Sequence, residues 1–159
     1  MSQVIRPAIR TDVSAIIPLW LEGMTVHASI DPRFPLADDS EQKFESYLNE
    51  VLSDRNAFLF VAETGSNLVG YCLGRIRQHP PVFTKQTYGY INDLMVASAY
   101  RRKGIGKALF IATATAIRAR GVQDLEVSFV AKNEMSSSFW RKLGFKPRLE
   151  TLRLEYDAT

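Results

Sequence analysis

Apolar residues recur along this chain at two periods, and the switches between them mark out the elements. Val4–Arg10 reads as a short strand. Thr11 or Asp12 is then placed to cap a helix. That helix carries Val13, Ile16, Ile17 and Trp20 at helical spacing, with Pro18 as a kink and Gly23 as its stop. His27 to Asp39 holds Pro32 and Pro35 and predicts an irregular loop. Ser40 starts a second helix whose apolar face is Phe44, Tyr47, Leu48, Val51 and Leu52. Phe58–Ala62 and Leu68–Ile76 predict two strands of a hairpin, joined through Thr64-Gly65-Ser66-Asn67. Gln78 to Lys85, with Pro80 beside Pro81, predicts an exposed loop. Thr87 to Val96 is a further strand. Gly104-Ile105-Gly106 leads into an alanine-rich helix, Lys107 to about Arg120, stopped by Gly121. Leu125–Val130 is a strand, and Met135–Leu143 a helix capped from Asn133 and ended by Gly144. Phe145 to Tyr156 predicts one or two final strands.

Consecutive strands favour antiparallel pairing, whereas the strand–helix–strand unit around Gly106–Arg120 implies a parallel pair. The fold expected is α/β (α+β). It has a mixed, mostly antiparallel central sheet of about six or seven strands with helices on both faces. With 159 residues and no repeat or linker, the chain reads as one domain, 1–159.

Composition narrows the function classes. The net charge of +3 suits an anionic ligand, but the basic residues are too scattered for a nucleic-acid partner. A single cysteine, Cys72, rules out an internal disulfide and a cysteine-based zinc site; its apolar surroundings favour a core residue over a reactive thiol. His27 and His79 make no metal motif, so no metal is expected. No apolar run approaches the roughly 20 residues that span a bilayer, and Met1–Pro7 lacks a signal-peptide core. The expectation is a cytoplasmic protein with no membrane association.

The turn before the alanine-rich helix carries the chemistry. A helix N-terminus presents unsatisfied N–H groups and the positive end of a dipole. Glycines at 104 and 106 let the backbone approach a phosphate closely, and Arg101, Arg102, Lys103 and Lys107 add positive charge. Two rival phosphate motifs fail. A dinucleotide fingerprint needs glycine where Leu109 stands. A P-loop needs glycine at Arg101 and a hydroxyl residue at Ala108.

Arg101-x-x-Gly104-x-Gly106 matches the [QR]-x-x-G-x-[GA] acyl-CoA loop of the GCN5-related N-acetyltransferases. Ile91-Asn92-Asp93-Leu94-Met95-Val96 resembles the strand that precedes that loop in this family. Asn133 with Phe139-Trp140-Arg141-Lys142-Leu143-Gly144-Phe145 resembles its later motif, and Ile5-Arg6-Pro7-Ala8 with Asp12 its opening. The resemblance covers nearly the whole chain. It implies acetyl-CoA as co-substrate, lodged where two parallel strands splay apart. Leu94, Met95 and Val96 would pair by backbone with the pantetheine arm. Arg101, Arg102, Lys103, Gly104, Ile105, Gly106 and Lys107 would form the pyrophosphate loop. Asn133 would contact the arm, with Ser136 close by.

The reaction implied is direct attack of a primary amine, on a small molecule or a peptide, on the thioester. A backbone N–H within Leu94–Val96 would stabilise the oxyanion. Deprotonating an alkyl amine at pH 7 costs roughly 5 kcal/mol, so a base helps. Many family members have glutamate where this chain has Asn92. Asp93 is the nearest carboxylate, but strand alternation turns it away from Asn92 unless a bulge intervenes. Asn92, Tyr90 and Tyr88 share one face and could orient a water. The family's thiolate-protonating tyrosine is replaced by Trp140. Its indole N–H could bond the sulfur, the thiolate could leave unassisted, another tyrosine could substitute, or Trp140 is simply core. His27 could border the acceptor pocket, and Arg33, Arg75 and Arg77 are the candidates for a substrate carboxylate. The Asn92 and Trp140 departures leave open a non-catalytic acetyl-CoA sensor or structural domain. A homodimer is compatible with the resemblance.

Overall fold

The computed structural model describes residues 2–158; Met1 and Thr159, the ends of the expected single domain, lie outside the described residues. The chain divides into two compact units, one through Ser128 and one from Phe129.

The first unit is built on a five-stranded sheet in the order β1-β2-β3-β4-β5. Its strands are β1 (Gln3–Pro7), β2 (Ala57–Thr64), β3 (Asn67–Gln78), β4 (Thr87–Val96) and β5 (Leu125–Val127). Neighbours are antiparallel except β4 and β5, which are parallel, as the intervening helix requires. Two helices, α1 (Val13–Ile30) and α2 (Ser40–Ser53), cover one face. There Val13, Ile16, Trp20, Phe44 and Leu48 close over Leu59, Val61, Tyr71 and Leu73 of β2 and β3. Trp20 and Phe44 stack with centroids 4.2 Å apart where α1 meets α2. The third helix, α3 (Ile105–Arg118), covers the opposite face. It buries Ile105, Leu109, Thr113 and Ile117, one side of a helix at steps of four. Gly74 of β3 admits it: a Cβ there would lie 2.7 Å from Thr113 Cγ2 and 2.9 Å from Ile117 Cδ1.

One ionic cluster ties the start of the chain to the sheet. The Arg6 guanidinium bridges Asp12 at 2.7 Å and Glu63 at 3.0 Å. Asp12 stands at the helix entry as expected. Its carboxylate accepts the N–H of Ile9 behind it, at 2.8 Å, rather than an N–H of α1. The Arg6 hydrogen bond holds the Asp12 carboxyl below the usual carboxylate range.

Three expectations are corrected. Gly23 does not stop α1, which continues through His27 to Ile30; a Cβ at Gly23 would run into the Met95 side chain. The glycine is a packing contact with β4, and a close approach leaves the same mark in a sequence as a stop. The stretch Arg10–Ile30 is 21 residues and, by length and composition, apolar enough to cross a bilayer, contrary to the reading of shorter apolar runs. Val13, Ile16, Leu19, Trp20 and Gly23 are buried within the protein, as in the core helix of a globular unit. Finally, residues 145–158 form no strand, so the sheet has five strands rather than six or seven. The second unit offers its last segment one helix, α4 (Glu134–Lys142), and no strand to form a ladder with. Leu149, Leu152, Leu154 and Tyr156 are accordingly exposed.

Gly70 of β3 lies close against the backbone of β4. A Cβ there would lie 2.8 Å from the Met95 carbonyl oxygen and 3.0 Å from Leu109 Cδ1. Backbone cannot swing aside as a side chain can, so Gly70→Ala is expected to lower stability by about 1–3 kcal/mol, read from the urea unfolding midpoint.

Candidate functional site

Strand β4 runs over Thr87–Val96, as expected. Its pairing with β3 is regular from Thr87 to Ile91 and again from Asp93 to Val96, but Asn92 is an extra residue. Opposite it, Leu73 pairs with Asp93 and Gly74 pairs with Ile91. This is a β-bulge, and it changes which way the following side chains point. Directly opposed residues share a face. Leu73 belongs to the core under α1 and α2, so Asp93 faces that side. Arg75, opposite Tyr90, reaches the Tyr47 ring of α2 at 5.4 Å, so Tyr90 and, two residues on, Asn92 face it as well. The condition raised from the sequence is met: a bulge brings Asn92 and Asp93 to one face, together with Tyr90 and Tyr88.

That face holds unusual polar groups. Asn92 Oδ1 is buried without a hydrogen-bond partner, and so is the Tyr71 hydroxyl. Asp93 is half-buried, and burial pushes its carboxyl up to about 7. A carboxylate poised near neutrality has the affinity a general base needs. Cys72, on the other face, is fully buried, and burial pushes its thiol up to about 12. It is the core residue expected, not a nucleophile.

The same stretch of β4 is open along its other edge. β5 pairs only with Gly89, Tyr90 and Ile91. From Asn92 to Val96 that edge has no strand partner among the described residues, so its outward N–H and C=O groups, apart from the Val96 carbonyl that Arg101 holds, stand ready for an extended ligand. Leu94, Met95 and Val96 lie on this open stretch.

The loop beyond is shaped for an anion. Arg102 (φ 60°) and Gly104 (φ 80°) are both left-handed and flank Lys103. Alternating left-handed residues turn successive N–H groups inward. The helix starts at Ile105, two residues before the expected Lys107, and the first intrahelical bond runs from Ala108 N–H to the Gly104 carbonyl. Gly104 stands at the cap without a side chain, which leaves the N–H groups of Ile105, Gly106 and Lys107 free of any capping oxygen. Arg102, Lys103 and Lys107 are exposed around them. Arg101 is different. Its Nε donates to the Val96 carbonyl at 2.9 Å and its guanidinium approaches Glu22 of α1 at 3.4 Å, while the Glu22 carboxylate also accepts the Ser98 N–H at 2.8 Å. Arg101 and Glu22 fasten the loop to the end of β4. Glu22 carried no signal in the sequence; its partner is 79 residues away.

In the second unit, Asn133 caps α4, its side-chain oxygen accepting the Ser136 N–H at 3.1 Å. Trp140 is 5% exposed and sits edge-to-face against Phe139 and Phe145, with centroids 4.9 and 5.3 Å away. The arginines considered for a substrate carboxylate are occupied to different degrees. Arg33 is paired with Asp31 at 2.6 Å and Arg75 with Asp54 at 2.7 Å. Arg77 stacks over the Tyr90 ring at 3.6 Å and has no carboxylate partner among the described residues. His79 stacks on Tyr88, with centroids 4.3 Å apart, and His27 lies in the last turn of α1. No group of three or more His, Cys, Asp or Glu side chains among the described residues could hold a metal.

A family model described as "Acetyltransferase (GNAT) family" matches residues 22–145, which include the open edge, the loop and α4. An N-alpha-acetyltransferase of Sulfurisphaera tokodaii is 31% identical over 115 residues, 67% of this chain and 66% of that protein; the match thus spans just under two thirds of the relative. Among solved structures, a "predicted acetyltransferase" of Clostridium acetobutylicum with acetyl-CoA superposes with a TM-score of 0.79 at 18% identity, covering 97% of this chain and 96% of the other. An aminoglycoside antibiotic 6'-N-acetyltransferase of Acinetobacter haemolyticus gives a TM-score of 0.77 at 16% identity, covering 98% and 99%. At such identities these two show a shared fold.

The Asp93 environment has a consequence for stability. Burial pushes its folded carboxyl up to about 7, far above the ordinary value of 3.8 that the unfolded chain would have. Folding therefore favours the protonated form, and stability falls as pH rises from the unfolded value through about 7. Asp93→Asn removes that loss. Its unfolding midpoint should exceed the wild type's at pH 8, with the gap closing toward pH 4; urea titrations at the two pH values check this.

Proposed function

Because the chain belongs to the acetyltransferase (GNAT) family, we propose that it is an enzyme transferring the acetyl group of acetyl-CoA to a primary amine in a ternary complex. The observation that carries this reading is the open edge of β4 from Asn92 to Val96, leading directly into the left-handed turns at Arg102 and Gly104. An extended amide-bearing arm fits the edge as an added strand, and a pyrophosphate fits the N–H groups at the start of α3. Arg102, Lys103 and Lys107 supply the counter-charge, and Arg101 holds the loop in shape. The relative named for N-alpha-acetylation and the neighbour named for an aminoglycoside amine bracket the acceptor class: a peptide N-terminus or a small-molecule amine. A cytoplasmic location belongs to the same reading.

In this reading the Asp93 carboxylate takes a proton from the acceptor ammonium, directly or through a water oriented by Asn92. The freed nitrogen lone pair attacks the thioester carbonyl carbon. The N–C bond forms, the C–S bond breaks, and CoA leaves as the thiolate, to which the nitrogen passes its second proton, while an N–H on the open edge of β4 stabilises the transient oxyanion. Tyr90 and Tyr88 line the same face of the sheet. Trp140 takes the bland role considered for it, an aromatic core residue between Phe139 and Phe145, so thiolate departure does not depend on it.

The test is an assay of CoA release over a panel of primary amines and peptides. Turnover is expected on at least one, with kcat/KM rising with pH through about 7 as Asp93 ionises. Asp93→Asn should lower kcat about 10²–10⁴-fold and abolish that rise. Tight acetyl-CoA binding without turnover on any amine would favour the sensor instead.

A further inference from the structure

The Tyr71 hydroxyl has no role in the site as described so far. Tyr71 lies on β3, is 0% exposed, and its hydroxyl has no hydrogen-bond partner. A buried polar group left unpaired in the middle of a core is costly, and phenylalanine would fill the same space without that cost. The position explains the hydroxyl. Leu73 is directly opposite Asp93, and Tyr71 is two residues before it on the same face. Tyr71 and Asp93 are therefore diagonal neighbours across the β3–β4 pair, at a separation of roughly 7–8 Å that a long aromatic side chain spans. The charge on Asp93 is felt at the Tyr71 hydroxyl and raises its pKa further beyond what burial does, so Tyr71 stays a neutral donor. The bulge is what makes this possible, since regular alternation would turn Asp93 to the α3 face.

Building on the reading of Asp93 as the base, we infer that Tyr71 is a positioning residue: its hydroxyl, unpartnered in the structure, turns to donate to the Asp93 carboxylate when that group ionises and orients it for the acceptor ammonium. Among the described residues, the surroundings supply no free cation as a rival. On β3, Cys72 is a neutral thiol turned to α3, where Thr113 bonds it, and Arg75 is engaged by Asp54 and the Tyr47 ring. On β4, Tyr90 lies under Arg77. On α1, Glu22 is taken by Ser98 N–H and Arg101, and His27 lies in the last turn. On α2, the Tyr47 ring lies under the Arg75 guanidinium. Asn92 has an unpaired oxygen, which is an acceptor, and an amide N–H2, which is the other neutral donor beside Asp93 on this face.

A donor bonded to the charged form lowers a carboxyl pKa, so removing it raises that pKa. Tyr71→Phe, which deletes one unpartnered hydroxyl and keeps the ring, should fold as the wild type does. Its kcat/KM profile should move to higher pH by about one unit, a tenfold loss of rate on the acid limb. The Asp93 carboxyl resonance, followed by carbon-13 NMR, should shift its titration upward by the same amount. An Asp93 titration identical in wild type and Tyr71→Phe, with Asp93→Asn inactive, overturns the role of Tyr71 and leaves Asp93 as base. Full turnover by Asp93→Asn overturns the base itself, and the positioning role with it.

Discussion

At Ile91 the strand β4 changes its surroundings on both edges at once. On one edge β5 stops pairing; on the other, Asn92 enters as an extra residue opposite the Leu73–Gly74 step. The first change opens backbone groups that nothing in the sheet satisfies. The second turns Asp93 toward the helices α1 and α2, beside Asn92 and diagonal to Tyr71. An extended ligand would lie along the open edge, and the proton-accepting group would sit on the adjoining face. Three contacts hold this strand in place. Gly23 lets α1 press on Met95, Gly70 lets β3 press on the Met95 carbonyl, and Arg101 with Glu22 clamps the strand end.

The loop that follows divides its basic residues between structure and ligand. Arg101, the residue that starts the motif, is spent on the Val96 carbonyl. The left-handed backbone at Arg102 and Gly104 aims the N–H groups, and the exposed cations around them add attraction that salt would screen. Affinity for a pyrophosphate should thus reside more in the turn geometry than in any single cation.

Much of this was readable in the residues. Two prolines marked the loop before β4, the strand alternation set Thr87–Val96, and the glycine pair with its basic neighbours located the anion cradle. The cap at Asn133 and the stops at Gly121 and Gly144 followed from local chemistry. What was not readable depends on long-range contact. Gly23 looked like a stop because its packing partner is 72 positions away at Met95. The bulge at Asn92 is set by pairing with β3, and no local residue type announces it. Tyr71 was one aromatic in an apolar run until its hydroxyl proved unpartnered. The tail from Phe145 has strand-like composition, yet a strand exists only with a neighbour to bond.

The proposed acetyl-CoA site joins the turn at Arg102–Gly104 to the open edge of β4. Gly104 has φ 80° and open space around it, so Gly104→Val strains the turn without disturbing the core. Isothermal titration of wild type with acetyl-CoA should give saturable one-site binding. The variant should bind at least about tenfold more weakly, a loss of roughly 1.4 kcal/mol. Absence of binding by the wild type, or equal affinity in Gly104→Val, would contradict the account.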